Sequence, residues 1–158
     1  MIKAVLFDID GTLCMDGNLF DRASQVVDNM RKDRMVFFVT NTTGETIHSI
    51  IEDLSNKGIT VNEEELYSPV RVAKDHMVKN SIAGGMLMVP DKVKEDYAWF
   101  KEDADGPSLL VGDECYHMTV DMLHEPFRFL MQGGKSFLLF RKTDITGKTD
   151  NLSLIWAL

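Results

Sequence analysis

Two acidic residues separated by one position follow the first apolar run of the chain. Asp8 and Asp10 come directly after the apolar residues 4–7. Side chains alternate along a strand, so both carboxylates point the same way while Ile9 points into the core. Gly11 then lets the backbone turn without a side chain that would obstruct the space beside the acids. The spacing therefore predicts a pair of carboxylates at the carboxyl end of a buried strand, where open α/β folds bind ligands.

Paired carboxylates in a cleft repel each other, so at neutral pH they need a shared proton or a cation. Mg²⁺ prefers oxygen ligands, keeps several waters and usually takes one or two carboxylates together with a substrate phosphate. A carboxylate can also attack phosphorus to give an aspartyl phosphate, while a second carboxylate moves protons to and from the leaving oxygen. The pair therefore indicates phosphoryl transfer with Mg²⁺ as cofactor.

The chain contains a second Asp-x-Asp-Gly sequence that serves as an internal comparison. Asp103 and Asp105 have the same spacing, but they follow Lys101 and Glu102 rather than an apolar run. Asp and Gly favour turns on their own. This second sequence predicts an exposed turn, and the preceding strand is what makes Asp8 and Asp10 the candidate site.

A second apolar run also ends in polar residues. Residues 35–39 are continuously apolar, as in a parallel strand covered on both faces, and Thr40, Asn41, Thr42 and Thr43 follow. A helix is expected directly afterwards, since Thr42 and Glu45 have the spacing of a capping box. Its apolar face is then formed by Ile47, Ile50, Ile51 and Leu54, with Gly58 as the stop. The N–H groups of that helix and the Thr40 hydroxyl would suit a phosphate.

The two motifs together resemble the haloacid dehalogenase-like hydrolase superfamily. The sequence from Asp8 to Leu13, DIDGTL, carries the likeness, and the Thr-Asn-Thr-Thr sequence at 40–43 is similar to subfamily IIA, the NagD or 4-nitrophenylphosphatase-like branch. The resemblance implies a phosphatase that acts on small phosphate monoesters. Asp8 would be the nucleophile and a metal ligand, and Asp10 the general acid/base that also binds the metal through its carbonyl. Gly11, Thr40 and Asn41 would bind the phosphate or substrate.

The same resemblance implies an α/β fold with a doubly wound, Rossmann-like parallel sheet and a small α/β cap. Residues 1–82 would form the N-terminal half of the core, with helices over 23–30 and from Ser68-Pro69 toward Asn80. We interpret Gly84-Gly85 as a boundary. Residues 83–158 would form the cap, with a β-α-β-α-β order. Its apolar runs are at 86–89, 109–112 and 137–140, and its helical stretches are near 92–101 and 121–132.

Composition narrows the classes of partner. The 158 residues are 44% hydrophobic with a net charge of −8, which permits a sizeable core and argues against nucleic acid, because phosphate backbones require a basic surface. No apolar run is long enough to cross a bilayer, so no membrane partner is expected. Cys14 and Cys115 stand alone without a metal-site or redox spacing, which favours a cytoplasmic setting.

Three interpretations of the second half remain open. By resemblance, a lysine and a distal acidic pair should complete the site on a later strand, so a chain that lacks them would be an impaired hydrolase. A capless hydrolase would instead use Asp113 as the distal acid and Lys92 or Lys94 as the lysine. A binding or assembly protein on the same scaffold is the third. A sheet that stops early also exposes an edge, which predicts self-association through that edge.

Overall fold

The computed structural model describes residues 2–112, 119–132 and 135–138. It is an α/β structure with two parallel sheets and a short hairpin. The strands are β1 (Ala4–Asp8), β2 (Cys14–Met15), β3 (Asn18–Leu19), β4 (Met35–Val39), β5 (Leu66–Tyr67), β6 (Gly84–Met88), β7 (Lys101–Glu102), β8 (Ser108–Val111) and β9 (Lys135–Leu138). The α-helices are α1 (Ala23–Arg31), α2 (Ile47–Asn56), α3 (Pro69–Lys79) and α4 (His124–Met131). Short 3-10 helices cover Glu63–Glu65, Asp91–Tyr97 and Asp121–Leu123.

The first sheet has the strand order β1-β4-β5, with all strands parallel. Its register pairs Phe7 with Phe38 and Asp8 with Val39, so the two predicted motif strands are neighbours and end at the same edge. One face of this sheet is covered, since Val36, Phe38 and Leu66 are almost fully buried. The fold class expected from the sequence is confirmed.

The start of α2 differs from the capping box expected at Thr42 and Glu45. The helix begins at Ile47, and the Thr46 hydroxyl accepts a hydrogen bond from the Ser49 amide at 2.9 Å. The residues before Thr46 are not helical, and the Thr42 amide donates to the Thr40 hydroxyl instead. The apolar face is as expected, because Ile47, Ile50 and Leu54 are buried. Helix α3 follows the sequence expectation closely, with Ser68 as its cap and Pro69 in its first turn.

The second sheet has the order β7-β6-β8-β9 and is also parallel. Gly84 and Gly85, interpreted from the sequence as a boundary, are the first residues of β6, the first strand of this sheet along the chain. A Cβ at Gly85 would lie 2.0 Å from the Ser108 carbonyl oxygen, so the strand needs glycine to approach its neighbour. The helix expected near 92–101 is a 3-10 helix that ends at Tyr97, and Lys101 belongs to β7 instead.

The 3-10 helix Asp91–Tyr97 links the two sheets through the core. Val93 and Tyr97 are buried in the same apolar cluster as Phe38 and Leu54. The Tyr97 hydroxyl donates to the Val70 carbonyl at 3.0 Å. Burial raises the pKa of that hydroxyl, which therefore stays a donor. The connection between β6 and β7 thus packs against the helices of the first sheet.

The first sheet is open on one side. Within the described residues, β1 pairs with β4 alone along its length. By the register, Leu6, Met35 and Tyr67 share the face opposite Phe38, and they are 66%, 58% and 42% exposed. Parallel sheets are usually buried on both faces. This set of Leu6, Met35 and Tyr67, together with the free edge of β1, is called the open face below.

Candidate active site

Asp8 and Asp10 lie at the carboxyl end of β1 with their side chains exposed, while Ile9 between them is buried. The Ile9 amide donates to the Val39 carbonyl at 3.1 Å, which continues the pairing of β1 with β4 past the end of the strand. Buried Ile9 and this backbone bond fix the peptide between the two acids. Both carboxylates are therefore presented to solvent on a rigid support.

The turn after Asp10 is held by local hydrogen bonds. The Gly11 amide donates to the Cys14 carbonyl at 2.7 Å, and the Thr12 hydroxyl donates to Asp8 Oδ2 at 3.2 Å. Gly11 has a φ of 81°, although a Cβ there would meet no atom within 4 Å. Backbone conformation rather than crowding is thus the reason for glycine at this position.

Thr40 is the point at which the two motifs meet. Its side chain is buried, and its hydroxyl donates to Asp10 Oδ2 at 3.5 Å, at the long end of hydrogen-bond distances. The Thr40 hydroxyl oxygen accepts from the Thr42 amide at 3.2 Å, and the Thr40 amide donates to the Tyr67 carbonyl at 3.1 Å. Asn41 is exposed beside it. The ends of β1, β4 and β5 are therefore joined laterally at this edge.

The first turn of α2 already has partners for two of its amides. Ser49 is bonded to Thr46, and the Ile47 amide donates to Asp96 Oδ2 at 2.9 Å. Burial raises the pKa of Asp96, opposed by that amide and by Lys74. The sequence predicts that these amides bind a phosphate, but two of them donate to protein oxygens in the structure. Thr40 and its neighbours are accordingly the better candidates for a phosphate.

A hairpin that the sequence analysis did not identify lies against the acids. Strands β2 and β3 are joined by Asp16 and Gly17, both with positive φ, and Cys14 forms an isolated bridge with Asp10. An Asp-Gly pair is a strong signal for such a two-residue turn. That signal could have predicted the hairpin.

Cys14 and Lys57 are two further ionisable groups near Asp10. Burial raises the pKa of the Cys14 thiol, and Lys57 opposes that shift. The Lys57 ammonium is 2.5 Å from Asp53, and this hydrogen bond is the main cause of its raised pKa, with smaller contributions from Cys14 and Asp10. Cys14 is therefore a neutral core thiol, and Lys57 is engaged by Asp53.

The two lysines considered for a capless hydrolase are each paired with a carboxylate. Lys92 pairs with Glu45 at 2.5 Å, which brings it to the segment after Asn41. Lys94 lies 3.5 Å from Asp91 and 3.4 Å from Glu102. Asp113, the acid of that interpretation, lies outside the described residues.

The oxygen donors at the end of β1 fit a hard divalent cation. Asp8 and Asp10 are exposed carboxylates on a fixed backbone, and such a pair leaves room for the waters that Mg²⁺ keeps. Within the described ranges, no group of three or more His, Cys, Asp or Glu side chains could hold a metal ion.

Comparisons with known sequences match the part of the chain that contains both motifs. The family model described as haloacid dehalogenase-like hydrolase matches residues 5–98. A Rattus norvegicus protein, haloacid dehalogenase-like hydrolase domain-containing protein 2, is 28% identical over 98% of this chain and 59% of its own length. The Bos taurus protein of that name is 27% identical over 97% and 58%. The chain thus spans about three fifths of the length of these relatives.

Solved structures share the fold. A 4-nitrophenylphosphatase from Thermotoga maritima has a TM-score of 0.78 at 19% identity, over 87% of this chain and 54% of that one. NagD from E. coli has a TM-score of 0.76 at 20% identity, over 87% and 56%. A glycerol phosphate phosphatase from Mycobacterium tuberculosis in complex with magnesium has a TM-score of 0.73 at 16% identity, over 87% and 44%. None of the helices in the described ranges is long and apolar enough to cross a bilayer.

Proposed function

Since the chain belongs to the haloacid dehalogenase-like hydrolase family, we propose that it hydrolyses small phosphate monoesters through an aspartyl phosphate on Asp8. The observation that carries this proposal is the contact between Thr40 and Asp10, which joins the ends of two neighbouring parallel strands. It gathers two carboxylates and a hydroxyl donor at one solvent-open edge. The reaction requires a nucleophile, a group that carries protons, and a group that donates a hydrogen bond to the phosphate.

The reaction has two halves. An Asp8 carboxylate oxygen attacks phosphorus, the bond from phosphorus to the ester oxygen breaks, and Asp10 gives that oxygen its proton. Asp10 then takes a proton from water as the water attacks the same phosphorus, and the bond from Asp8 to phosphorus breaks to release inorganic phosphate. The Thr12 hydroxyl orients Asp8 by its bond to Oδ2. The Thr40 hydroxyl turns from Asp10 to a phosphate oxygen when substrate binds.

Asp8 and Asp10 would hold Mg²⁺ as the cofactor. The cation would neutralise charge on the transferred phosphoryl group and on the paired carboxylates. Support comes from the oxygen donor set and from the solved relative described as a magnesium complex. Gly11 and Asn41 would line the phosphate site beside Thr40. The substrate class is a small phosphorylated metabolite, in keeping with solved relatives described as 4-nitrophenyl and glycerol phosphate phosphatases.

The two separate sheets support different roles for the two halves of the chain. Residues 1–82 would be the catalytic half of the core, and residues 83–158 the cap region that selects the substrate. A cytoplasmic setting is supported by Cys14, a buried free thiol, as expected in a reducing compartment. Self-association through the open face is supported by the exposure of Leu6 and Met35.

A second candidate function is phosphate binding without turnover. The ion pairs of three lysines favour it. Each of Lys57, Lys92 and Lys94 is paired with a carboxylate. A cation that is paired with a protein carboxylate stabilises a transferring phosphoryl group less than an unpaired one. Binding of inorganic phosphate without hydrolysis of any aryl phosphate would favour this candidate.

The test of the proposed function is the release of phosphate from an aryl phosphate with and without Mg²⁺. We expect Asp8→Asn to reduce turnover to background, because an amide cannot act as an anionic nucleophile. Asp8 is exposed, so the free energy of unfolding should change by no more than about 0.5 kcal/mol. Asp103→Asn is the matched control, since it removes an acid of the same Asp-x-Asp-Gly spacing from an exposed turn. Undiminished turnover in Asp8→Asn would exclude the assignment.

A further inference from the structure

An acid from the second half of the chain reaches the start of α2. Asp96 lies on the 3-10 helix Asp91–Tyr97, which follows β6, and its Oδ2 accepts the Ile47 amide at 2.9 Å across 49 positions of sequence. Its side chain is 10% exposed, and its Oδ1 lies 3.9 Å from the Lys74 ammonium. The carboxylate is therefore held by two elements of the first half of the chain.

The contact supplies what α2 lacks. Helix α2 has no acidic residue in its own first turn, although negative charge there is favourable because the helix dipole is positive at this end. Asp96 provides that charge and also accepts one of the unpaired first amides. The result is a helix start that is fixed by a residue of another element.

The contact between Asp96 and the Ile47 amide lies at the end of the segment whose residues are proposed to bind phosphate. Residues 40–46 run from Thr40 to the cap residue Thr46, directly before Ile47. A second ion pair, between Lys92 of the same 3-10 helix and Glu45, ties this segment again at 2.5 Å. One end of the segment is thus anchored to β5 through the Thr40 amide and the other to the 3-10 helix.

We propose that Asp96 is a positioning residue for the phosphate-binding segment 40–46, acting through its hydrogen bond to the Ile47 amide. This rests on the proposed function for its effect on phosphate, but not for its effect on the segment itself. Asp96 does not touch the substrate. It links the second sheet to the site, so that the placement of Thr40 depends on how the second half of the chain packs.

The first experiment measures amide hydrogen exchange in the whole chain without phosphate. Asp96→Ala should speed exchange at Ile47 and in segment 40–46 by about tenfold, as expected for loss of a hydrogen bond to a charged group. Asp96→Asn keeps an oxygen that can accept the amide, so its exchange should stay within about threefold of the wild type. Asp91→Ala is the control, because Asp91 lies on the same 3-10 helix with its side chain 99% exposed. Unchanged exchange in a folded Asp96→Ala variant would overturn the proposal.

The second experiment measures the Kd of inorganic phosphate by titration of the same variants. We expect Asp96→Ala to raise the Kd about tenfold, with Asp96→Asn and Asp91→Ala close to the wild type. Faster exchange with an unchanged Kd would show that Asp96 only caps the helix, and would overturn its positioning role. If the wild type binds no phosphate, the proposed function fails, and hydrogen exchange alone decides the claim for Asp96. If Asp96→Ala does not fold, Asp96→Ser takes its place, since its hydroxyl is too short to reach the amide.

Discussion

Asp8, Asp10 and Thr40 lie at the carboxyl ends of two neighbouring strands, each of which is an apolar run in the sequence. Strand ends on the same edge of a parallel sheet must lie close together, so two separate motifs predicted one site. Asp8, Asp10 and Thr40 could be read in this way, although their roles stay proposals. Asp96 could not, because nothing in the sequence connects it with Ile47 across 49 positions. Such a contact arises from tertiary packing and has no local signal.

At the scale of single residues, Thr40→Val tests the proposed hydrogen bond from the Thr40 hydroxyl to phosphate. The change removes a hydroxyl and keeps the shape, so we expect the Kd of inorganic phosphate or vanadate to rise about tenfold. The buried hydroxyl also accepts the Thr42 amide, and its loss should lower the free energy of unfolding by about 1 kcal/mol. Both effects can be measured on one preparation by titration and thermal unfolding.

The matched control is Thr60→Val, at an exposed threonine outside the helices and strands. It should alter neither quantity. Equal phosphate affinity in Thr40→Val and the wild type would reduce Thr40 to a structural residue. Loss of stability alone would not distinguish the two roles, so the titration is decisive.

At the scale of elements, the glycines of β6 allow the neighbouring strands of the second sheet to approach closely. The Gly85 position leaves no space for a Cβ beside the Ser108 backbone. We therefore expect Gly85→Ala to lower the free energy of unfolding by about 1–3 kcal/mol, as overpacking does. Gly44→Ala is the comparison, since a Cβ at that position meets no atom within 4 Å. Thermal unfolding of both variants would test this, and equal melting temperatures would contradict it.

Apolar runs predicted β1, β4, β6 and β8, although the structure leaves one face of the first sheet exposed at Leu6 and Met35. The start of α2 was misplaced by four residues, since Thr42 and Thr46 are both residue types that suit a helix cap, and the structure uses Thr46. The Gly84-Gly85 pair gave no sign in the sequence of a place within a strand, where the close approach of Ser108 makes glycine necessary at position 85. Local propensity cannot reveal such an approach, because the neighbour is distant in sequence.

At the scale of the whole molecule, the open face predicts association. Leu6→Lys places a charge on that face, and we expect it to shift the protein toward monomer in light scattering at matched concentration, because a charged strand edge disfavours pairing. Val78→Lys is the control, since Val78 on α3 is 58% exposed, close to the exposure of Leu6. A wild-type protein that stays monomeric at every concentration would contradict the prediction.

The exposure of Asp8, Asp10 and Asn41 would separate the proposed activity from stability. Their side chains contribute little to the packed core, while Ile9 and the backbone bonds beside them hold the strand ends together. Substitutions at these positions can therefore accumulate without unfolding the chain. In evolutionary terms, a descendant can lose the chemistry and keep the scaffold, so the presence of this fold in a relative does not guarantee a working site.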